Sequence, residues 1–173
     1  MLEANQLGRR AADRWLLEDV SLRIEPGDRL AVRGPTGSGK TVLLRLLAML
    51  DRYDAGEILW NGRPVHGHEV PAYRSSVLYL HQRPAFIEGT VEDNLRLPYS
   101  LKTHLHKRFD RDRIVGLLEA LGRGESFLRT RQSNLSGGEG QITAMLRAIQ
   151  LNPSILLLDE PTAALDAESV ALI

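Results

Sequence analysis

The sequence predicts an α/β domain in which a mostly parallel sheet is preceded by antiparallel N-terminal strands and interrupted by a helical insertion. Three observations carry that expectation. Strand-like and helical patterns alternate up to Leu80, and a glycine-rich turn at Gly34–Thr41 joins a short strand to a helix. From Pro84 to about Leu151 the strand signal nearly vanishes. It returns at Ile155-Leu156-Leu157-Leu158, a continuous apolar run expected of a strand buried on both faces of a parallel sheet.

The elements follow in order. Leu16, Val20, Leu22 and Ile24 alternate as a half-buried strand, closed by the turn Glu25-Pro26-Gly27-Asp28. Arg29–Arg33 reads as a second short strand. From Lys40, the positions Leu43, Leu44, Leu46, Leu47 and Leu50 suit a mostly buried helix. Glu57–Trp60, Asn61-Gly62 and Pro64-Val65 read as a hairpin on a type I′ turn, and Val77–Leu80 as a buried strand. Helical patterns then cover Val91–Leu95, Asp110–Leu121 and Ser136–Gln150.

Composition narrows the function classes. With 173 residues, 43% of them hydrophobic and 25% charged, the chain has the make-up of one soluble domain. Its longest apolar stretch, Thr41–Leu50, is broken by Arg45 and falls short of the roughly 20 residues that span a bilayer. No secretory pattern opens the chain, so a cytosolic location is expected. The lack of cysteine removes disulfides and thiolate chemistry. The 22 basic and 22 acidic residues cancel, so no global field favours nucleic acid, which is not expected as a partner. Lys40 is one of only three lysines beside nineteen arginines, and it falls in the most informative stretch.

That stretch, Gly34-Pro35-Thr36-Gly37-Ser38-Gly39-Lys40-Thr41, has the phosphate-loop spacing of glycine, four residues, then Gly-Lys-Ser/Thr. Glycines let backbone N–H groups turn toward phosphates, and the following helix aims its positive end at them. Lys40 suits the β- and γ-phosphates, and the Thr41 hydroxyl suits Mg²⁺. A second constellation is Asp159-Glu160 at the C-terminal end of the Ile155–Leu158 strand, the edge where open α/β sheets bind ligands. Asp159 suits a role on Mg²⁺, and Glu160 suits a general base for the attacking water. The third is Ser136-Gly137-Gly138-Glu139, whose spacing is that of a capping box and whose bare amides also form an anion site at a helix start.

Together, Gly34–Thr41, Leu135–Glu139 and Ile155–Asp166 resemble the ATP-binding subunit of an ABC transporter across essentially the whole chain. The resemblance implies a P-loop NTPase with a RecA-like core at 1–83 and 152–173 and a helical signature subdomain at 84–151. It also implies a head-to-tail homodimer in which Ser136, Gly137, Gly138 and Glu139 meet the partner's ATP. Gln82 matches the family's glutamine loop, in contact with Mg²⁺ or the attacking water, and Ala164-Leu165-Asp166 matches a loop at the dimer interface. Lys40, Gln82 and Glu160 are then the catalytic set, Thr41, Gln82 and Asp159 the metal set, and a membrane-embedded permease the second partner. The location implied is the inner face of the cell membrane, and Phe86–Leu95 leans toward bacterial metal-export subunits.

Several positions depart from the family pattern. Glu139, Gly140 and Ile142 replace glutamine and basic residues, and the acid and the helical glycine are expected to weaken dimer closure. No adenine-stacking aromatic precedes the loop, and Trp15 reads as core packing. The family's switch histidine would lie beyond Ile173, so the expectation for these residues is ATP binding with little turnover. His66, His68, His104 and His106 read as surface residues. A soluble ABC-type ATPase without a permease and a small-molecule phosphotransferase are the alternatives, the latter leaving Leu135–Gly138 unexplained.

Overall fold

The computed structural model describes residues 1–162. They fall into two compact units whose boundary lies between Tyr79 and Leu80. In the first unit, β1 (Leu2–Ala11), β2 (Arg14–Ile24), β3 (Ala55–Trp60) and β4 (Arg63–Pro64) form an antiparallel sheet in the order β2-β1-β3-β4. Leu2, Ala4, Leu7 and Ile58 are its most buried side chains. The expected hairpin forms, with Leu59 opposite Pro64 and Trp60 opposite Arg63. Asn61 (φ 52°) and Gly62 (φ 76°) both take the left-handed conformation that a type I′ turn requires.

Strand β1 has no counterpart in the sequence reading. Its buried positions, Leu2, Ala4 and then Leu7, break period-2 alternation because the register shifts between Ala4 and Leu7, with Gln6 at φ 50°. The reverse error occurs at Arg29–Arg33, which is not a strand: Leu30 and Val32 are 60% and 43% exposed. A central strand requires neighbours for its N–H and C=O groups, and none pairs with this segment among the described residues.

Helix α1 (Lys40–Leu47) buries Leu43, Leu44, Leu46 and Leu47; Leu50 lies beyond its end and is exposed. Helix α2 (Val70–Ser76) follows the hairpin and buries Tyr73. The Tyr73 hydroxyl donates to the Leu47 carbonyl, and Trp60 meets its ring edge-on at 5.7 Å.

β5 (Val77–Leu80) ends at the first residue of the second unit. There the Asp159 N–H, just after β6 (Ile155–Leu158), donates to the Leu80 carbonyl at 3.1 Å. Only Leu157 of β6 is buried, so the expected burial on both faces is not found among the described residues. The expected helices appear as α3 (Val91–Arg96), α4 (Arg111–Ala120) and α5 (Gly137–Ile149). Each has a side-chain cap: Thr90 accepts from the Asp93 N–H, Asp110 from that of Arg113 and Ser136 from that of Glu139.

Val91, Leu95, Ile114, Leu118, Phe127, Leu128, Ile142 and Leu146 form the main core of this unit. Ile142 therefore stands where it does because that face of α5 is buried. A smaller cluster joins Leu80, Ala144 and Met145 with Phe86, Leu156 and Leu158. His104, expected at the surface, is buried by the 3₁₀ turn Lys102–His104, and that burial lowers its pKa.

Candidate functional site

The phosphate-loop residues lie in the first unit. Residues 36–39 turn tightly into α1, and Gly37 (φ 81°) and Gly39 (φ 89°) take the left-handed conformation. Gly39 is also sterically required, since a methyl group there would lie 2.9 Å from both the Leu16 carbonyl and Leu17 Cδ2 on β2. The loop is thus seated on β2, and the Leu43 N–H returns to the Gly39 carbonyl at 2.8 Å. Lys40 Nζ folds back over the loop, donating to the Gly34 and Pro35 carbonyls at 2.9 and 3.0 Å. Among the described residues no carboxylate pairs with it, so its charge is held at the mouth of the turn where it can attract an anion. Thr41 occupies the second position of α1.

The acidic residues lie in the second unit. Asp159, at the end of β6, is only 6% exposed, whereas Glu160 is exposed. Gln82 Nε2 donates to Glu160 Oε2 at 2.6 Å, so residues 78 positions apart in sequence meet as side chains. Glu160 has φ 46°, a conformation that costs a non-glycine residue about 1–2 kcal/mol. This bend turns the chain immediately after Asp159.

The Leu-Ser-Gly-Gly segment opens α5 as the capping box its spacing suggests. Glu139 Oε2 accepts from the Ser136 N–H at 3.0 Å, and its Oε1 pairs with Arg123 at 3.2 Å. These contacts, the Ser136 amide foremost, hold the Glu139 carboxyl below its ordinary pKa. The acid is thus engaged by residues of its own chain. Gly140 faces Phe86, with room for a methyl group, which would lie 3.4 Å from Phe86 Cε2. Two turns on, the Arg147 guanidinium sits 5.2 Å from the centre of the Phe86 ring and donates to the Ala85 carbonyl at 2.9 Å. Burial lowers the Arg147 pKa. Arg123, Phe86 and Arg147 were absent from the sequence-derived site; the glycine inside a helical pattern was the one signal pointing to this packing.

Trp15 lies on the β1–β2 ribbon under the Arg10 guanidinium, 4.3 Å from its ring centre. His66 accepts in the cap of the Gly67–Glu69 turn and stays exposed with His68. Ala164-Leu165-Asp166 lies outside the described residues.

A glycine-rich loop folded against a strand, opening a helix and placing a lysine over its own turn, defines the P-loop NTPase class. The sequence pattern of the ABC transporter family matches residues 17–163, and the chain belongs to that family. It is 40% identical to the Fe(3+) ions import ATP-binding protein FbpC 3 of Rhodococcus jostii over 96% of its own length and 47% of that protein's. It is 32% identical to the probable iron export ATP-binding protein FetA of Escherichia coli, covering 96% of this chain and 72% of that one. Thus it spans about half the length of the first of these relatives. The ATP-binding cassette MJ0796, solved as a dimer in a post-hydrolysis state with ADP and Pi, superposes with a TM-score of 0.85 at 26% identity, over all of this chain and 79% of that one.

Proposed function

We propose that this chain binds Mg·ATP and, as a head-to-tail homodimer, couples ATP binding and hydrolysis to transport by a separate membrane-embedded permease. The observation that carries this reading is the seated phosphate loop, with Lys40 Nζ held over Gly34 and Pro35. On binding, the triphosphate replaces those two carbonyls as the partner of Lys40, while the backbone N–H groups of Thr36 to Lys40 donate to its oxygens. Glu160 accepts the proton of the attacking water as general base, and Gln82, already bonded to Glu160, orients that carboxylate.

Thr41, Asp159 and Gln82 would hold Mg²⁺. They present a hydroxyl, a carboxylate and an amide oxygen, the hard oxygen donors that this cation takes. When bound, it neutralises charge on the transferring phosphoryl group. Ser136, Gly137, Gly138 and Glu139 face the ATP of the second subunit in this reading, and 84–151 acts as the signature subdomain that docks the permease. The named relatives are ATP-binding proteins of iron import and export, which supports a transport role at a membrane.

Lys40→Ala is expected to weaken ATP binding on the order of 10- to 100-fold, the loss of one or two charge-assisted hydrogen bonds. Titration calorimetry measures it. Unchanged affinity would refute the reading. Glu160→Gln is expected to retain ATP binding and accumulate an ATP-bound dimer, seen as a doubled mass by light scattering. Co-purification with an integral membrane protein tests the transporter role.

A further inference from the structure

Zero net charge over the chain conceals a local imbalance in the second unit. Between Ser100 and Asp110 stand Lys102, Lys107 and Arg108 against one carboxylate, Asp110. Lys107, Arg108 and Arg113 line a cavity of about 330 Å³ with Tyr99, Asp110 and Asn152. Two of these cations are held by neutral oxygens. Lys107 Nζ donates to the Leu151 carbonyl at 2.6 Å, and Arg113 donates to the Gln150 carbonyl at 3.4 Å and to Asn152 Oδ1 at 2.9 Å. These bonds orient the side chains without neutralising them. Asp110 turns to the start of α4, where it accepts the Arg113 N–H at 3.0 Å. None of the ion pairs among the described residues uses Lys102, Lys107, Arg108 or Arg113.

In the chain segment between the cavity residues Tyr99 and Lys107, two large apolar side chains are exposed, Leu101 at 53% and Leu105 at 66%. The backbone fixes them on successive turns: the His104 N–H bonds to the Leu101 carbonyl and the Lys107 N–H to that of His104. Exposed leucines between unpaired cations suit one kind of surface, in which phosphate lies at the level of the charges and hydrocarbon just beneath.

We infer that the Leu101–Arg113 segment docks on an anionic phospholipid surface, with a headgroup phosphate in the cavity between Lys107, Arg108 and Arg113, and Leu101 and Leu105 in the acyl boundary. This contact lies within the 84–151 subdomain, takes lipid rather than protein as its partner, and does not depend on nucleotide hydrolysis. Binding of the full chain to vesicles of phosphatidylglycerol mixed with phosphatidylcholine, measured by flotation, tests it. Partition is expected with the mixed vesicles and not with phosphatidylcholine alone. Lys102→Gln with Arg108→Gln should lower the partition coefficient about 25-fold, at about five-fold per cation removed. Leu101→Ser with Leu105→Ser should lower it about ten-fold and leave the residual binding more salt-sensitive. Arg108→Lys should retain it, and unchanged thermal melts establish that each variant is folded. Equal binding to neutral vesicles, indifference to both double substitutions, or full displacement by inorganic phosphate with no effect of the leucine changes would each overturn the proposal.

Discussion

At Gly39 a single hydrogen in place of a side chain satisfies two constraints at once. The backbone is at φ 89°, and β2 lies where a Cβ would be. Gly39→Ala is therefore expected to cost about 1–3 kcal/mol in stability and to unseat the loop, lowering ATP affinity more than ten-fold. A thermal melt and a nucleotide titration on one sample check both. Asp51 carries a different kind of dependence. Arg45 donates to it through Nε at 2.6 Å and Nη2 at 2.8 Å, and this pairing holds its carboxyl below the usual 3.8. Because the folded pKa is depressed, the pair's contribution is fully present above the unfolded value and is lost as pH falls through the folded one. Melting temperature should fall below about pH 4, and Asp51→Asn should flatten that part of the profile; an unchanged slope would remove the pair as its cause.

Helix α5 is the element whose sequence carried the most information and still withheld its packing. Its cap, period and length were legible because Ser136, Glu139 and the apolar positions act locally. The neighbour of Gly140 was not legible, because it is Phe86, which lies 54 positions earlier in the chain and is packed against α5. That geometry predicts a split between two substitutions. A methyl group at 3.4 Å from the ring is in ordinary contact, so Gly140→Ala should gain up to about 1 kcal/mol of helix propensity and raise the melting temperature by roughly 2–4 °C. Gly140→Leu should displace Phe86 and lower it. Equal effects would show that the ring does not set the tolerance of this position. Arg147 grips the same ring and the Ala85 carbonyl, so the segment carrying Gln82 is tied to the helix that begins with the signature residues. The dependence of Gln82 on that tie was likewise beyond sequence reading.

Over the whole molecule, what was legible divides along local and nonlocal specification. The type I′ hairpin, the Ser136 capping box and the glycine-rich turn into α1 are written in neighbouring residues, and all form. Strand β1, with its slipped register, and Arg29–Arg33 depend on partners far along the chain, and there local pattern misled in both directions. His104 is a third case, since its burial comes from a 3₁₀ turn with no periodic signature. The exposed Arg29–Arg33 segment has a biochemical signature: limited trypsin treatment should cut at Arg29 or Arg33 before Arg45, which is fixed in α1 by Asp51. ATP should slow that cut because the phosphate loop begins at the next residue; mass spectrometry of the fragments checks the order. Glu160 points to a compromise of another kind. Its backbone conformation is one that glycine or asparagine adopts at lower cost, yet a carboxylate stands there. If Glu160 is the general base proposed above, Glu160→Gly is expected to melt a few degrees higher while losing hydrolysis, so that a selection for heat resistance alone would erode that function. A carboxylate thus stands at position 160 against the preference of its own backbone, and in the proposed mechanism activity and folding pull that position in opposite directions.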